Sequence, residues 1–148
     1  TFSGHESPVL SLAVQGENIW SGAQDGDIRV FHLSTQRCIR VLTRHRAPVH
    51  ALLGNGDKMW SASMDGSVAI WDAQTIEFLG DVPLSFPKDR KSHFVFSLVP
   101  VAEASIWRIW TCGTDGAVRS WLSQSSASKP APPPPVTVRA LAAHSVSL

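Results

Sequence analysis

The sequence is poor in several features that would point to particular classes of protein. Its 148 residues include two cysteines, no tyrosine and nearly balanced charges, with 13 Lys and Arg, 12 Asp and Glu and a net charge of +1. So small a net charge creates no long-range field, which disfavours nucleic acid and anionic membranes as partners. No apolar run approaches the roughly 20 residues that span a bilayer, and no His or Cys pattern has the spacing of metal ligands. We therefore expect no membrane span, no metal and no cofactor.

The two cysteines also argue against a fold that depends on disulfides. Cys38 and Cys112 lie far apart in the chain, within predicted strands and without metal-type spacing. We expect both to be reduced thiols packed in the core, which is typical of a reducing compartment. The sequence therefore predicts a cytoplasmic protein, with the nucleus as the alternative.

One pattern occurs three times, at residues 19–31, 59–71 and 109–121. Each copy is an apolar run, an Asp-Gly turn and a second alternating run that ends in an aromatic residue, which is typical of a β-hairpin. The tryptophans that lie near the start of the copies, Trp20, Trp60 and Trp110, are 40 and 50 positions apart. A hairpin repeated at this period predicts an all-β propeller, in which each repeat buries its sheet faces against its neighbours.

The repeats divide the chain into about three four-stranded blades and the end strands of neighbouring blades. The predicted segments are the end of an upstream outer strand (1–4), blade one (5–42), blade two (43–82), a basic loop (83–92), blade three (93–142) and the start of a further blade (143–148). Within blade three we expect an enlarged turn at 100–105, a Pro-rich loop at 123–135 and an outer strand at 136–141. Because propellers close with typically four to eight blades, and because the sequence starts without methionine, we expect a partial propeller from a longer chain.

Four kinds of side chain recur in phase through these repeats. A His precedes the inner strand, a Ser or Thr follows the first tryptophan, an Asp lies in the turn and an aromatic residue ends the hairpin. Blade two has the full set, His45, Ser61, Asp65 and Trp71. With these residues in phase, and with Asp72 directly after Trp71, the chain resembles the WD-repeat β-propeller family. The resemblance implies that the four side chains form a hydrogen-bonded tetrad that holds the blade together.

The chemistry of the side chains agrees with such a network. The Trp71 indole N–H is only a donor, the Ser61 hydroxyl accepts and donates, and a neutral His45 can pass the chain to a carboxylate. Blade one ends in Phe31, which has no donor, so its network must stop at Ser21. Blade three offers Thr111, Asp115 and Trp121 in phase, with His93 two positions out of phase.

A Ser, His and Asp set also occurs in hydrolases, where one exposed nucleophile lies beside an oxyanion hole. Here the set recurs once per repeat and ends on a tryptophan, so we predict a structural role and no catalysis in this segment. The alternative is a propeller attached to an enzyme. The Trp-Ser-Gly and Trp-Ser-Ala runs before the Asp-Gly turns are similar to propellers that precede inositol polyphosphate 5-phosphatase domains.

The leading prediction is a non-catalytic scaffold for protein-protein interaction. In WD-repeat propellers, partners commonly dock on the face that carries the loops before the inner strands and the hairpin turns. The resemblance therefore implies a protein or peptide partner at Leu10, Gln24, His50, Met64, Phe94, Phe96 and Thr114. Because strand side chains alternate, the tryptophans of the hairpins should point to the opposite sheet face from the Ser or Thr and pack between blades.

A second candidate partner is a polyproline-reading module. Residues 129–135 contain five prolines, which favour an extended polyproline II helix. Lys129, Pro132 and Pro135 have the spacing of a ligand for Src-homology-3 modules. The alternative for this segment is a semi-rigid surface loop.

Overall fold

The computed structural model of the chain describes residues 2–84, 93–103 and 106–123. These residues form eleven β-strands in three antiparallel sheets, within which sequential strands are neighbours. Blade one comprises β1 (Val9–Gln15), β2 (Asn18–Ala23), β3 (Ile28–His32) and β4 (Cys38–Leu42). Blade two comprises β5 (Val49–Asn55), β6 (Lys58–Ser63), β7 (Val68–Asp72) and β8 (Phe78–Asp81). Blade three comprises β9 (Val95–Glu103), β10 (Ile106–Gly113) and β11 (Val118–Ser123).

This architecture is the predicted all-β partial propeller. Two sheets have four strands, and the third has three described strands. Most of the predicted basic loop, the Pro-rich loop after Ser123, the outer strand at 136–141 and the further blade at 143–148 lie outside the described residues. Within the part of the chain that the structure describes, there is no helix of the length and apolarity that crossing a bilayer requires.

The Asp-Gly turns depend on the backbone freedom of glycine. φ is +94° at Gly26, +85° at Gly66 and +74° at Gly116, in the left-handed region that residues with a Cβ disfavour. A Cβ on Gly26 would also lie 2.8 Å from the His45 carbonyl oxygen. The hairpin turn of blade one therefore packs directly against the loop that leads into blade two.

The first part of blade three differs from the prediction. We predicted an enlarged turn over residues 100–105, but β9 continues to Glu103 and β10 begins at Ile106. Pro100 lies opposite Ile109 within the ladder. β9 is at the edge of its sheet and pairs with β10 alone, so the missing N–H of proline is tolerated at this position.

Each blade has two chemically distinct sheet faces. One carries Ser21, Ser61 or Thr111 and is called the hydroxyl face here; the other carries Trp20, Trp60 or Trp110 and is called the tryptophan face. The tryptophan face of blade one packs on the hydroxyl face of blade two, in a core that contains Trp20, Ile28, Val30, Val49, Met59, Ala69, Trp71 and Ile76. The tryptophan face of blade two packs in the same way on blade three, in a core that contains Trp60, Ala62, Val68, Val82, Val95 and Ile109.

These cores account for the tryptophans of the hairpins. Trp20 and Trp60 are fully buried between blades, as expected, whereas Trp110 is half-buried because no described strand covers the tryptophan face of blade three. Ser11 adds a polar link between blades one and two, since its hydroxyl donates to the Val49 carbonyl oxygen at 2.9 Å.

The prediction for the two thiols is only partly correct. Cys38 and Cys112 are both free, but both are exposed, so the predicted burial is wrong. Cys38 begins β4, the outermost strand of blade one, and Cys112 shares the open tryptophan face with Trp110. Residues at these two positions are not enclosed by a neighbouring blade.

Gly22 provides a test of how closely blades one and two approach. A Cβ on Gly22 would lie 2.6 Å from Ser11 Oγ and 2.6 Å from Val49 Cγ1, although blade two has Ala62 at the equivalent position. We expect Gly22→Ala to destabilise the protein by about 1–3 kcal/mol through overpacking, measured by chemical denaturation. The double variant Gly22→Ala/Val49→Ala should lose less than the sum of the single variants, and strict additivity would contradict this explanation.

Candidate functional site

Blade two contains the complete hydrogen-bonded tetrad. Trp71 Nε1 donates to Ser61 Oγ at 2.9 Å, and Ser61 Oγ lies 2.8 Å from His45 Nε2. His45 Nδ1 lies 3.1 Å from Asp65 Oδ2 and 3.1 Å from Ser67 Oγ. Because the indole can only donate, the Ser61 hydroxyl donates onward to Nε2, which leaves the His45 proton on Nδ1, facing Asp65.

Asp65 joins this chain to the hairpin turn. Its carboxylate accepts the backbone N–H groups of Arg46 at 3.0 Å and Ser67 at 2.8 Å. Burial raises the pKa of Asp65, but hydrogen bonds from His45, Ser67 and these backbone groups outweigh burial and hold the pKa below its ordinary value. The ionised carboxylate therefore fixes both the turn and the loop before β5.

Blade one has a shortened version of the network. His5 Nε2 lies 2.6 Å from Ser21 Oγ, which is also 3.2 Å from the Arg29 carbonyl oxygen. Phe31 has no donor, so the chain ends at Ser21, and Phe2 packs against the Phe31 ring with centroids 5.5 Å apart. Burial, followed by the charge of Arg29, lowers the pKa of His5 and favours the neutral imidazole.

Blade three retains the donor end of the network and changes the acidic end. Trp121 Nε1 donates to Thr111 Oγ1 at 3.2 Å. Asp115 Oδ2 pairs with Arg119 Nη2 at 2.5 Å, and this hydrogen bond lowers the pKa of the Asp115 carboxyl. His93 is not needed to explain either contact.

The geometry of blade two does not suit a hydrolytic triad. Ser61 is fully buried, and its oxygen accepts the Trp71 indole N–H. A nucleophilic serine must reach a substrate carbonyl beside oxyanion-hole donors. Ser61 is enclosed in the blade, so its role is structural.

The candidate partner site lies at one end of the blades. We call this end the loop face; it comprises the loops before the inner strands, at 5–8, 45–48 and 93–94, and the turns at 24–27, 64–67 and 114–117. One backbone hydrogen bond links turn to loop in each blade. These bonds run from Gln24 N to Pro8 O at 2.9 Å, from Met64 N to Pro48 O at 2.9 Å and from Thr114 N to Phe94 O at 3.1 Å.

A β-bulge recurs where each inner strand reaches the loop face. The register shifts between Val9 and Ser11, between Val49 and Ala51, and between Val95 and Ser97. The extra residues are Leu10, His50 and Phe96. A bulge leaves its extra residue outside the ladder and redirects the side chain, so these three side chains are presented at equivalent positions in three blades.

Two of the bulge residues meet across the boundary between blades two and three. The rings of His50 and Phe96 lie 5.8 Å apart in an edge-to-face arrangement, and those of Phe94 and Phe96 lie 6.2 Å apart. Phe96 remains 43% exposed, and Leu10 is similarly exposed on blade one. The result is an aromatic cluster at the loop face that keeps accessible apolar surface.

The seven residues predicted for partner binding therefore fall into two groups. His50, Phe94 and Phe96 form the aromatic cluster, and Leu10 occupies the corresponding bulge of blade one. Gln24, Met64 and Thr114 occupy the same position in three turns, with Gln24 exposed and the other two half-buried. The bulges themselves were not predicted, although the repeats already show Leu, His and Phe at the same distance after Val9, Val49 and Val95.

Among residues 2–84, 93–103 and 106–123, no three His, Cys, Asp or Glu side chains converge to form a possible metal site. The imidazoles of His5 and His45 each face a serine, and that of His50 faces a phenyl ring. These contacts give the histidines structural and surface roles in the blades.

Comparison with known proteins identifies the repeats. Residues 1–32 and 36–72 match the family model described as WD domain, G-beta repeat. The structure of the RRP9 WD40 repeats superposes with a TM-score of 0.65 at 22% identity, over 81% of this chain and 37% of that chain. Blades one and two are therefore WD repeats, and the fold of the described chain is that of a WD-repeat β-propeller.

Further similarities cover only parts of longer proteins. The ribosome biogenesis protein BOP1 homolog of Oryza sativa subsp. japonica is 50% identical to this WD-repeat chain over 42 residues, which are 27% of this chain and 6% of that protein. The computationally designed Ika8 protein has a TM-score of 0.66 and 25% identity, over 82% of this chain and 35% of that chain. The chain therefore spans a small fraction of this curated relative and roughly a third of these two solved chains.

The tetrad predicts the effect of removing one donor. Trp71→Phe should destabilise the protein by about 1–3 kcal/mol, because Ser61 Oγ loses the indole and remains buried. Phe31→Trp should have a smaller effect or stabilise the protein, since Ser21 lies at the equivalent place. Thermal and chemical denaturation measure both, and two melts indistinguishable from that of the wild type would contradict the role of the tetrad.

The hydrogen-bonded carboxylate of Asp65 should make the stability of the protein depend on pH in the acid range. Its pKa is lower in the folded protein than its ordinary value of 3.8, so its contribution is present above that value and is lost as pH falls below it. Asp65→Asn should be less stable than the wild type near neutral pH, and the difference should shrink as pH falls. Denaturation at a series of pH values tests this, with exposed Glu77→Gln as the control. A difference independent of pH would exclude the contribution of the carboxylate.

Proposed function

We propose that this WD-repeat chain is a non-catalytic scaffold that binds a protein or peptide partner on its loop face. The observation that carries the proposal is the bulge repeated in all three blades, which places Leu10, His50 and Phe96 outside the sheet ladders. Three equivalent side chains at one end of a rigid array suit recognition of an extended surface. The buried tetrad of blade two, by contrast, holds its blade together.

The composition of this surface also supports a partner site. With histidine counted as neutral, the seven predicted residues carry no formal charge, and five of them are apolar or aromatic. Interface centres are depleted in charged residues and enriched in aromatics and Met, and a few anchors dominate the affinity. We assign Met64 and Phe96 as anchors because Met64 is adaptable and half-buried, whereas Phe96 is exposed and supported by two neighbouring rings.

The anchors can be tested by charge substitution. Met64→Glu and Phe96→Glu should each abolish capture of the proteins that the wild-type chain retains in a quantitative pull-down, because a buried carboxylate without a partner opposes binding. Leu79→Glu is the matched control, since Leu79 is 54% exposed on outer strand β8, away from the loop face. Each variant is first shown to be folded by circular dichroism. If both anchor variants retained binding, the partner would bind at a different surface and the assignment of these anchors would be wrong.

Three finer predictions from the sequence remain proposals. Lys129, Pro132 and Pro135 form a second candidate docking segment, for a polyproline-reading module, and lie outside the described residues. Attachment to an inositol polyphosphate 5-phosphatase-like enzyme and a cytoplasmic location are likewise predictions. If the anchor variants keep their partner, a variant that lacks residues 129–135 tests whether the partner binds the polyproline segment.

A further inference from the structure

A cavity of about 180 Å³ lies between blades one and two, at the end of the blades opposite the loop face. Two tight turns form its walls, at residues 16–17 between β1 and β2 and at residues 56–57 between β5 and β6, together with the start of the connection from β7 to β8. Both blades that form the cavity have all four strands in the described chain.

Hydrogen bonds hold the walls of this cavity in place. The Asp57 carbonyl oxygen accepts the backbone N–H of Ala73 at 2.9 Å, which ties the turn to the connection after β7. The side-chain amide of Gln15 crosses from blade one and donates to the Gly56 carbonyl oxygen of blade two. The cavity is therefore preformed, which lowers the cost of ordering the protein when a ligand binds.

The lining of the cavity is rich in hydrogen-bond acceptors and contains no cationic side chain among the described residues. Its polar side chains are two carboxylates and three amides, from Glu17, Asp57, Gln15, Asn18 and Gln74. The Oδ1 atom of Asn18 is buried, and no donor in the described chain bonds to it. A positively charged group with several N–H donors complements such a lining.

Glu17 keeps the capacity to bind a cation although His32 lies beside it. His32 Nε2 is 3.3 Å from Glu17 Oε2, and the Glu17 side chain is 84% exposed. A carboxylate has about four acceptor sites, so one contact with His32 leaves others for a ligand. A neutral imidazole adds no charge, so the lining is most negative at a pH above the ordinary titration range of histidine.

We propose that this cavity binds the guanidinium group of an arginine side chain from a partner protein. Guanidinium is planar and always charged, and its five N–H donors suit carboxylates and amide oxygens contributed by two blades. A lysine ammonium is a compact, strongly hydrated point charge with three donors, so it would satisfy fewer of the lining groups. The cavity is several times larger than one water molecule requires, which leaves room for the guanidinium and the end of its stem.

Titration of the isotope-labelled chain with N-acetyl-arginine amide, followed by nuclear magnetic resonance at mildly alkaline pH, tests the proposal. We expect saturable shifts of the Gly16 and Gly56 amide signals, with a dissociation constant on the order of 1 mM. High salt should weaken the binding, because the contacts are partly exposed to solvent. N-acetyl-citrulline amide has nearly the same shape without the charge, and it should produce no such shifts at equal concentration.

Neutral variants of the two carboxylates locate the ligand. Glu17→Gln and Asp57→Asn should each weaken binding of the arginine derivative about three- to tenfold, because each removes a charge-assisted contact. Glu6→Gln is the matched control, since it removes the same charge from an exposed residue in the loop at 5–8 on the loop face. This control should bind like the wild type, and dispersed amide signals show that each variant is folded.

Three results would overturn the proposal: no saturable binding, equal binding of the citrulline derivative, or unchanged affinity in both Glu17→Gln and Asp57→Asn. An equal loss in Glu6→Gln would attribute the binding to net charge alone and would overturn it as well. Met64→Glu and Phe96→Glu alter the opposite end of the blades and should leave this titration unchanged. The arginine site and the proposed loop-face site are therefore tested separately.

Discussion

A β-sheet that is apolar on both faces needs a neighbour on each side, and this constraint determines most of the molecule. Trp20 and Trp60 are large side chains at sheet centres, and each becomes buried only when the hydroxyl face of the next blade covers it. The close approach at Gly22 and the turn at Gly26 follow from the same requirement, because the next blade must fit against them. Exposed thiols and exposed valines appear where that neighbour is missing from the described chain.

The hydrogen-bonded tetrad of blade two, and its altered versions in blades one and three, follow from this burial. Once Trp71 is enclosed, its N–H needs an acceptor. Ser61 provides it, and hydrogen bonds through His45 connect Ser61 to Asp65 in the turn. Blade one meets the same requirement by losing the donor: Phe31 replaces the tryptophan, and Phe2 packs on the ring. Blade three meets it at the acidic end, where Asp115 takes Arg119 as its partner. The network around the aromatic residue that ends each hairpin therefore differs from blade to blade.

Sequence reasoning predicted the features that recur from one blade to the next. The in-phase Trp, Ser or Thr, His and Asp residues identified the blades, the direction of the hairpin tryptophans and the full tetrad of blade two. It did not predict features that depend on position within the array. The extension of β9 through Pro100 depends on β9 being an edge strand, and the exposure of Cys112 depends on a face without a described neighbour. Neither condition can be read from local residue patterns.

The bulges also escaped prediction, for a different reason. A bulge is a property of the register between two strands, and adjacent apolar residues such as Val9 and Leu10 or Val95 and Phe96 do not by themselves mark it. The predicted partner residues came from the family resemblance. The structure shows where three of them lie: Leu10, His50 and Phe96 are the unpaired residues of three equivalent irregularities.

The bulge positions lie outside the strand pairing that holds each blade. A side chain outside the ladder contributes little to strand pairing, and the chain already accommodates an aliphatic residue, an imidazole and a phenyl ring at the same structural position. Positions 10, 50 and 96 can therefore be diversified together in a combinatorial library while the packed faces stay unchanged. The three bulges provide spatially fixed positions for such a library, in which positions 50 and 96 vary together because their side chains are in contact.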